Sequence, residues 1–187
     1  MKILILLSLS LYLLQFPALS YGKNNFPTKS PMGGKTFGTS VKEIGNGIYV
    51  FRWWVYRNIF IVTDEGVIVT DPMNPKAAKM LKKEIRKITD KPVKYVVYSH
   101  NHHDHISGGV VFKKEGAKFV GHANLLKELK DHPNPTLPLP DITFKNNYNV
   151  KLGGRVLELK FFGPNHGNSL VVMRLPKEKI IFIVVRQ

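Results

Sequence analysis

The sequence predicts an α/β fold, a sandwich of sheet and helix, from three observations. β-Branched runs recur in pairs around tight turns, as in "NIFIVTDEGVIVTD". Between such runs lie segments with apolar residues at helical spacing, such as Ala77, Ala78, Leu81, Ile85 and Ile88. No repeat or internal linker divides the 187 residues, enough for one domain with a sizeable core.

The first twenty residues fall outside that domain. Lys2 precedes an apolar run from Ile3 to Leu14, followed by Pro17 and the small residues Ala18 and Ser20. This is the layout of a secretory signal peptide cut after Ser20. The run falls short of the roughly 20 residues a membrane span needs, so no stable anchor is expected. The mature chain is expected to be periplasmic or secreted. Residues 21–40, rich in Gly, Pro, Ser, Thr, Asn and Lys, read as a flexible leader, and 41–187 as the domain.

The domain begins with "VKEIGNGIYVFRWWVY", which reads as strand, Gly-containing turn, strand. "NIFIVTDEGVIVTD" is a hairpin around Asp64-Glu65-Gly66. Asn74-Pro75 opens a helix, with Asn as cap and Pro in the first turn, and Lys91-Pro92 closes it. "VKYVVYS" is a short apolar strand. "SGGVVFKKEG" suggests a short helix, "AKFVGHA" a strand, and Asn124 a cap for the helix "LLKELKDH". After the Pro-rich connection "PNPTLPLPD", the segment "ITFKNNYNVKLGGRVLELKFF" gives antiparallel strands turning at Gly153-Gly154. "SLVVMRL" and "KIIFIVV" are two more strands.

Composition narrows the function. Cysteine is absent, which excludes disulfides and thiolate ligands within this chain. The net charge is +15, but the lysines are spread, as in "KAAKMLKKEIRK", with no basic-aromatic stripe. A solvated basic surface explains this better than nucleic-acid binding.

The densest chemistry is "YSHNHHDHISGG", from Tyr98 to Gly109. His100, His102, Asp104 and His105 directly follow the apolar strand. Residues two apart in an extended segment can point the same way, so His100 and His102 can grip one cation. Asp104 and His105 come from the next turn and can face a second. Imidazole and carboxylate suit zinc, and also iron or manganese. A loose His tract would need neither the aspartate nor the preceding strand. His103 occupies a spacer position and is not counted as a ligand. His122 and His132 read as ordinary structural or surface residues.

The His-x-His-x-Asp-His signature after an apolar strand resembles the metallo-β-lactamase-fold superfamily of metal-dependent hydrolases. The order of elements from Val41 to Val185 is similar to the first half of that αββα fold. The resemblance implies a third ligand for the first metal after a Gly-rich turn, and "FFGPNHGNSLVV" supplies His166. It assigns the first metal to His100, His102 and His166, and the second to Asp104 and His105. Asp104 would also orient the nucleophile, the catalytic role in this set. Asp71, ending "VIVTD", matches an aspartate that supports the metal loop, although a strand-ending turn residue is an equally good reading.

The implied activity is that of a secreted, zinc-dependent hydrolase. Metal-bound hydroxide would attack a carbonyl-type bond of a small molecule: a β-lactam, lactone or thioester. The resemblance also implies a bridging aspartate where Val185 stands, and a later histidine from a second half of the fold. The expectation is therefore a truncated domain with one tight zinc site, an incomplete second site, an exposed apolar sheet face and impaired activity. The alternative is a non-catalytic remnant or metal-binding protein.

Overall fold

The computed structural model describes residues 38–184, so the expected signal peptide, residues 21–37 of the leader and Val185 lie outside the described residues. Two sheets form the frame. In the first, β1 (Ser40–Gly45), β2 (Ile48–Trp53), β3 (Tyr56–Val62) and β4 (Val67–Thr70) pair antiparallel in chain order. To β4 are added β5 (Val93–Val97), β6 (Lys118–His122) and β7 (Ile142–Phe144), all parallel. The second sheet is antiparallel: β8 (Asn147–Leu152), β9 (Arg155–Phe161), β10 (Val171–Leu175) and β11 (Ile180–Phe182).

Four helices accompany the sheets: α1 (Pro75–Ile88), α2 (His103–Ile106), α3 (Val110–Lys113) and α4 (Ala123–Asp131). A 3₁₀ turn at Ser107–Gly109 joins α2 to α3. One core cluster packs Leu81 and Ile85 of α1, Phe112 of α3 and Leu125 of α4 against Phe60, Val69 and Val96 of the first sheet. The other lies between the sheets, with Ile59, Ile61, Ile68 and Val97 meeting Leu157, Leu159, Val171 and Met173. The first sheet is thus covered on both faces, which is why β4 is buried along its whole length.

Local chemistry accounts for most boundaries. Asn46 and Gly47 both have positive φ, 49° and 76°, and make the tight β1–β2 turn. Asn74 caps α1, its side-chain oxygen accepting from Lys76 N at 3.0 Å and Ala77 N at 2.9 Å. Ala77, Ala78, Leu81 and Ile85 form the buried face of α1, whereas Ile88, expected among them, is 38% exposed in the last turn. The run through Tyr56 is not one strand: it turns back at Trp54-Val55, with Trp54 at φ 57°. At α4 the cap is His122 rather than Asn124, because His122 Nδ1 accepts from Asn124 N at 3.2 Å.

The second sheet also departs from expectation. Its outer face is mixed rather than a continuous apolar surface, with Val172 among the outward residues. Asn147, Asn149, Glu158, Lys160 and Arg174 alternate outward against inward Val150, Leu157, Leu159 and Met173, and Arg174 pairs with Glu158 at 2.6 Å. Phe162 and Ile181 are the exposed large hydrophobics there. The described residues build three layers of the αββα pattern, with helices over the first sheet alone.

Gly108 fixes the histidine-bearing segment to the start of α1. Its N–H donates to Met73 O at 2.6 Å, and a Cβ at this position would lie 2.4 Å from Pro72 O and 2.7 Å from Ala78 Cβ. Gly108→Ala is expected to destabilise the fold by about 1–3 kcal/mol through overpacking, read by chemical denaturation. Lys113→Ala, exposed on the same segment, should stay within about 0.5 kcal/mol.

Candidate metal centre

The cluster sits at the carboxyl ends of the central parallel strands. Strand β4 ends at Thr70 and delivers Asp71; β5 ends at Val97 and delivers Ser99 and His100. Asp71 and Met73 hold positive φ, 31° and 61°, conformations costly for residues other than glycine. The strain is held by neighbours. Asp71 N donates to Val97 O at 2.9 Å, and Asn58 Nδ2 donates to Asp71 O at 3.0 Å.

The Asp71 carboxylate is fully buried and accepts twice from Ser99: from the backbone N–H at 2.7 Å and from the hydroxyl at 2.6 Å. A serine hydroxyl has one proton, and this one goes to Asp71. Ser99 Oγ, 2.7 Å from His100 Nδ1, must therefore accept from that nitrogen. The tautomer follows: His100 carries hydrogen on Nδ1 and a bare lone pair on Nε2. That Nε2 is buried without a hydrogen-bond partner. Burial pushes the His100 pKa down to about 4 against the opposing pull of Asp71, with His105, His102 and His166 adding to the fall. His100 is a neutral imidazole at physiological pH.

Two further imidazoles stand beside it. His102 lies at the start of α2, its ring centroid 4.5 Å from that of His100. His166 lies on the β9–β10 connection, with centroids 5.3 Å from His100 and 4.7 Å from His102. One ligand nitrogen of each lies within 4.8 Å of the others. The His166 loop is tied in place from several sides. Val171 N donates to Ser99 O at 2.9 Å, Asn124 Nδ2 donates to Asn168 O at 2.7 Å, and Ser169 Oγ donates to Asn101 Oδ1 at 3.3 Å.

A second group combines Asp71, His100 and His105. His105 Nδ1 is buried 3.6 Å from Asp71 Oδ2, too long for a hydrogen bond, and Nε2 is 3.8 Å from Asp104 Oδ2. Burial works against its charged form, yet Asp71 and Asp104 outweigh burial and hold its pKa above the ordinary value. Asp104 is half-exposed, with Tyr56 beside it. Burial opposes its carboxylate, but Tyr56 and His105 prevail and keep its pKa below the usual range. Among the described residues Asp104 joins no group of three donors.

The other histidines are placed away from this cluster. His103 is exposed on α2, and His132 is exposed after α4. His122 is buried and satisfied, with Nε2 bonded to Lys145 O at 2.7 Å and its ring stacked on Phe161 at 4.0 Å. Sequence reasoning misses Ser99 and Tyr56. Ser99 is flagged only by adjoining the motif, and Tyr56 falls at the end of what reads as one strand.

The family model described as the metallo-beta-lactamase superfamily matches residues 52–183. The chain belongs to that superfamily. Its alignment with the 2,4-dinitroanisole O-demethylase subunit alpha of a Nocardioides species is 25% identical, covering 69% of this chain and 40% of that one. A shorter stretch, 29% of the chain, is 41% identical to a linear primary-alkylsulfatase of a Pseudomonas species, covering 11% of it. Among solved structures, the metallo-beta-lactamase from Pontibacter korlensis superposes with a TM-score of 0.67 at 24% identity, over 76% of this chain and 69% of that one. The chain thus spans less than half the length of the curated relatives it matches.

Members of this superfamily are metal-binding hydrolases, and the donor set here suits such an ion. A buried imidazole nitrogen with a bare lone pair and no partner is costly unless a cation meets it. Ser99→Ala would leave the His100 ring in place but free its tautomer. Metal affinity is expected to fall about 10–100-fold, measured by competition with a chromophoric chelator, with the circular dichroism spectrum unchanged.

Proposed function

We propose that His100, His102 and His166 hold a zinc ion and that the chain serves a hydrolase acting on a carbonyl-type bond of a small molecule: a β-lactam, lactone or thioester. The observation that carries this reading is the buried, unpartnered Nε2 of His100, made bare by the Ser99 bond, in a group with two more imidazoles. When bound, the ion supplies Lewis acidity toward a substrate oxygen and toward water.

The protein's own groups do the rest. Asp71, through Ser99, keeps His100 in the tautomer that presents a lone pair outward. Tyr56 and Asp104 line the cleft together, where the Asp104 carboxylate, held below its usual pKa, can orient a water molecule. Val55, Phe182 and Ile183 give the same cleft, of about 630 Å³, an apolar wall. His105 stands between two carboxylates and, with Asp104, would hold a second ion.

A second reading is supported by the sparse donor set around Asp104: a single-ion site without turnover. Zinc reconstitution followed by assays on a chromogenic β-lactam, a lactone, a thioester, an alkyl sulfate and an aryl methyl ether separates the two. Stoichiometric zinc with no turnover on any of them would favour the second reading.

The ligand assignment makes its own prediction. His102→Ala should abolish tight zinc binding, while His103→Ala should leave it within about a factor of two, because His103 faces solvent. Equal losses would mean a loose histidine tract. The same reading has the chain exported: mass spectrometry of the envelope or secreted fraction is expected to find an N-terminus near Tyr21, and an intact Met1 there would sink that part.

A further inference from the structure

One charged side chain in the cleft has no role in holding a metal. Arg57, the second residue of β3, lines the same cleft as His102, Asp104, His105 and His166. It is exposed, and no ion pair or hydrogen bond of its guanidinium occurs among the described residues. The one carboxylate among the lining residues, Asp104, is engaged by Tyr56 and His105 instead.

The placement of Arg57 also costs the hairpin something. Its cross-strand partner in β2 is Arg52. Like charges directly opposite on adjacent strands repel. Arg52 Nε is turned to Trp54 O at 2.9 Å, at the hairpin tip. The Arg52 pKa lies below its ordinary value, from burial first and from Arg57 second. The hairpin therefore carries a guanidinium at the cleft wall that no described residue compensates, and Val55, Phe182 and Ile183 line the same cleft.

We infer that Arg57 reads the charge of the substrate, which is an oxyanion (carboxylate, sulfate or phosphate) carried on an apolar body. The planar fork of Arg57 holds the anionic group through paired N–H bonds. Val55, Phe182 and Ile183 meet the apolar part. The word substrate rests on the hydrolase reading above; the anion site itself does not.

The test is calorimetric titration of the full chain, zinc-loaded and metal-free, with hexyl sulfate, hexanoate and neutral hexanol. Both anions are expected to bind at least about tenfold more tightly than hexanol. Arg57→Gln should weaken both by about tenfold and leave hexanol unchanged, while Arg57→Lys should retain part of the preference. Lys130→Gln removes the same charge from α4 and should change nothing, which separates a local site from the general basic surface. The Arg57 dependence should persist without metal. Hexanol binding as tightly as the anions, Arg57→Gln behaving like Lys130→Gln, or loss of the Arg57 effect in the metal-free protein would each overturn the proposal. A zinc-loaded chain that turns over no substrate would sink the hydrolase reading and leave this comparison intact.

Discussion

The cluster depends on one buried carboxylate, Asp71. An unpaired carboxylate at zero exposure would cost several kcal/mol. Asp71 is tolerated because Ser99 donates to it twice, at 2.7 and 2.6 Å. Those bonds do two jobs. They tie the carboxyl end of β4 to that of β5, and they consume the serine proton, which fixes the tautomer of His100. The positive φ of Asp71 is the accompanying strain, held by Asn58 and Val97. A single side chain thus couples strand alignment, backbone strain and the chemistry of an imidazole one residue beyond its partner.

The rest of the site is drawn from both sheets. His100, His102 and His105 hang from the first sheet, but His166 arrives on the connection between β9 and β10 of the second. The bond from Val171 N to Ser99 O joins the sheets beside the cluster, and Asn124 at the start of α4 holds Asn168 two residues from His166. An ion shared by these imidazoles would cross-link the two sheets. It would bind the native chain and not the unfolded one, so metal affinity and fold stability are expected to rise together.

The parts legible in the sequence are those whose information is local. The spacing His100-x-His102-x-Asp104-His105 after an apolar strand identifies a metal-binding loop, and the Asn74-Pro75 cap marks the start of α1. The parts that stay hidden depend on neighbours distant in sequence. Ser99 looks like any serine until Asp71, twenty-eight positions earlier, is seen on its other side. The turn at Trp54-Val55 has no glycine, asparagine or proline to announce it, so Tyr56 reads as the end of the preceding strand and Arg57 as a residue between two runs. Asn124 is the better intrinsic cap, yet the helix starts two residues earlier and His122 takes the position. The polar positions on the outer face of the second sheet are readable: Asn147, Asn149, Glu158, Lys160 and Arg174 alternate with buried residues.

Charge acts at two ranges in this molecule, and they are separable. The net charge of +15 raises the local concentration of any anion, an effect that salt screens over about 8–10 Å. That field cannot choose among anions or orient one. Orientation needs a donor at the cleft, and Arg57, on a paired strand, is such a donor, while none of the lysines of α1 and α4 lines that cleft. Salt should therefore weaken the capture of all anions, and because Arg57 is exposed it should also shrink, without abolishing, the difference between the native chain and its Arg57→Gln variant. The surface sets how often an anion arrives. The strand carrying Arg57 sets how long it stays beside the histidines.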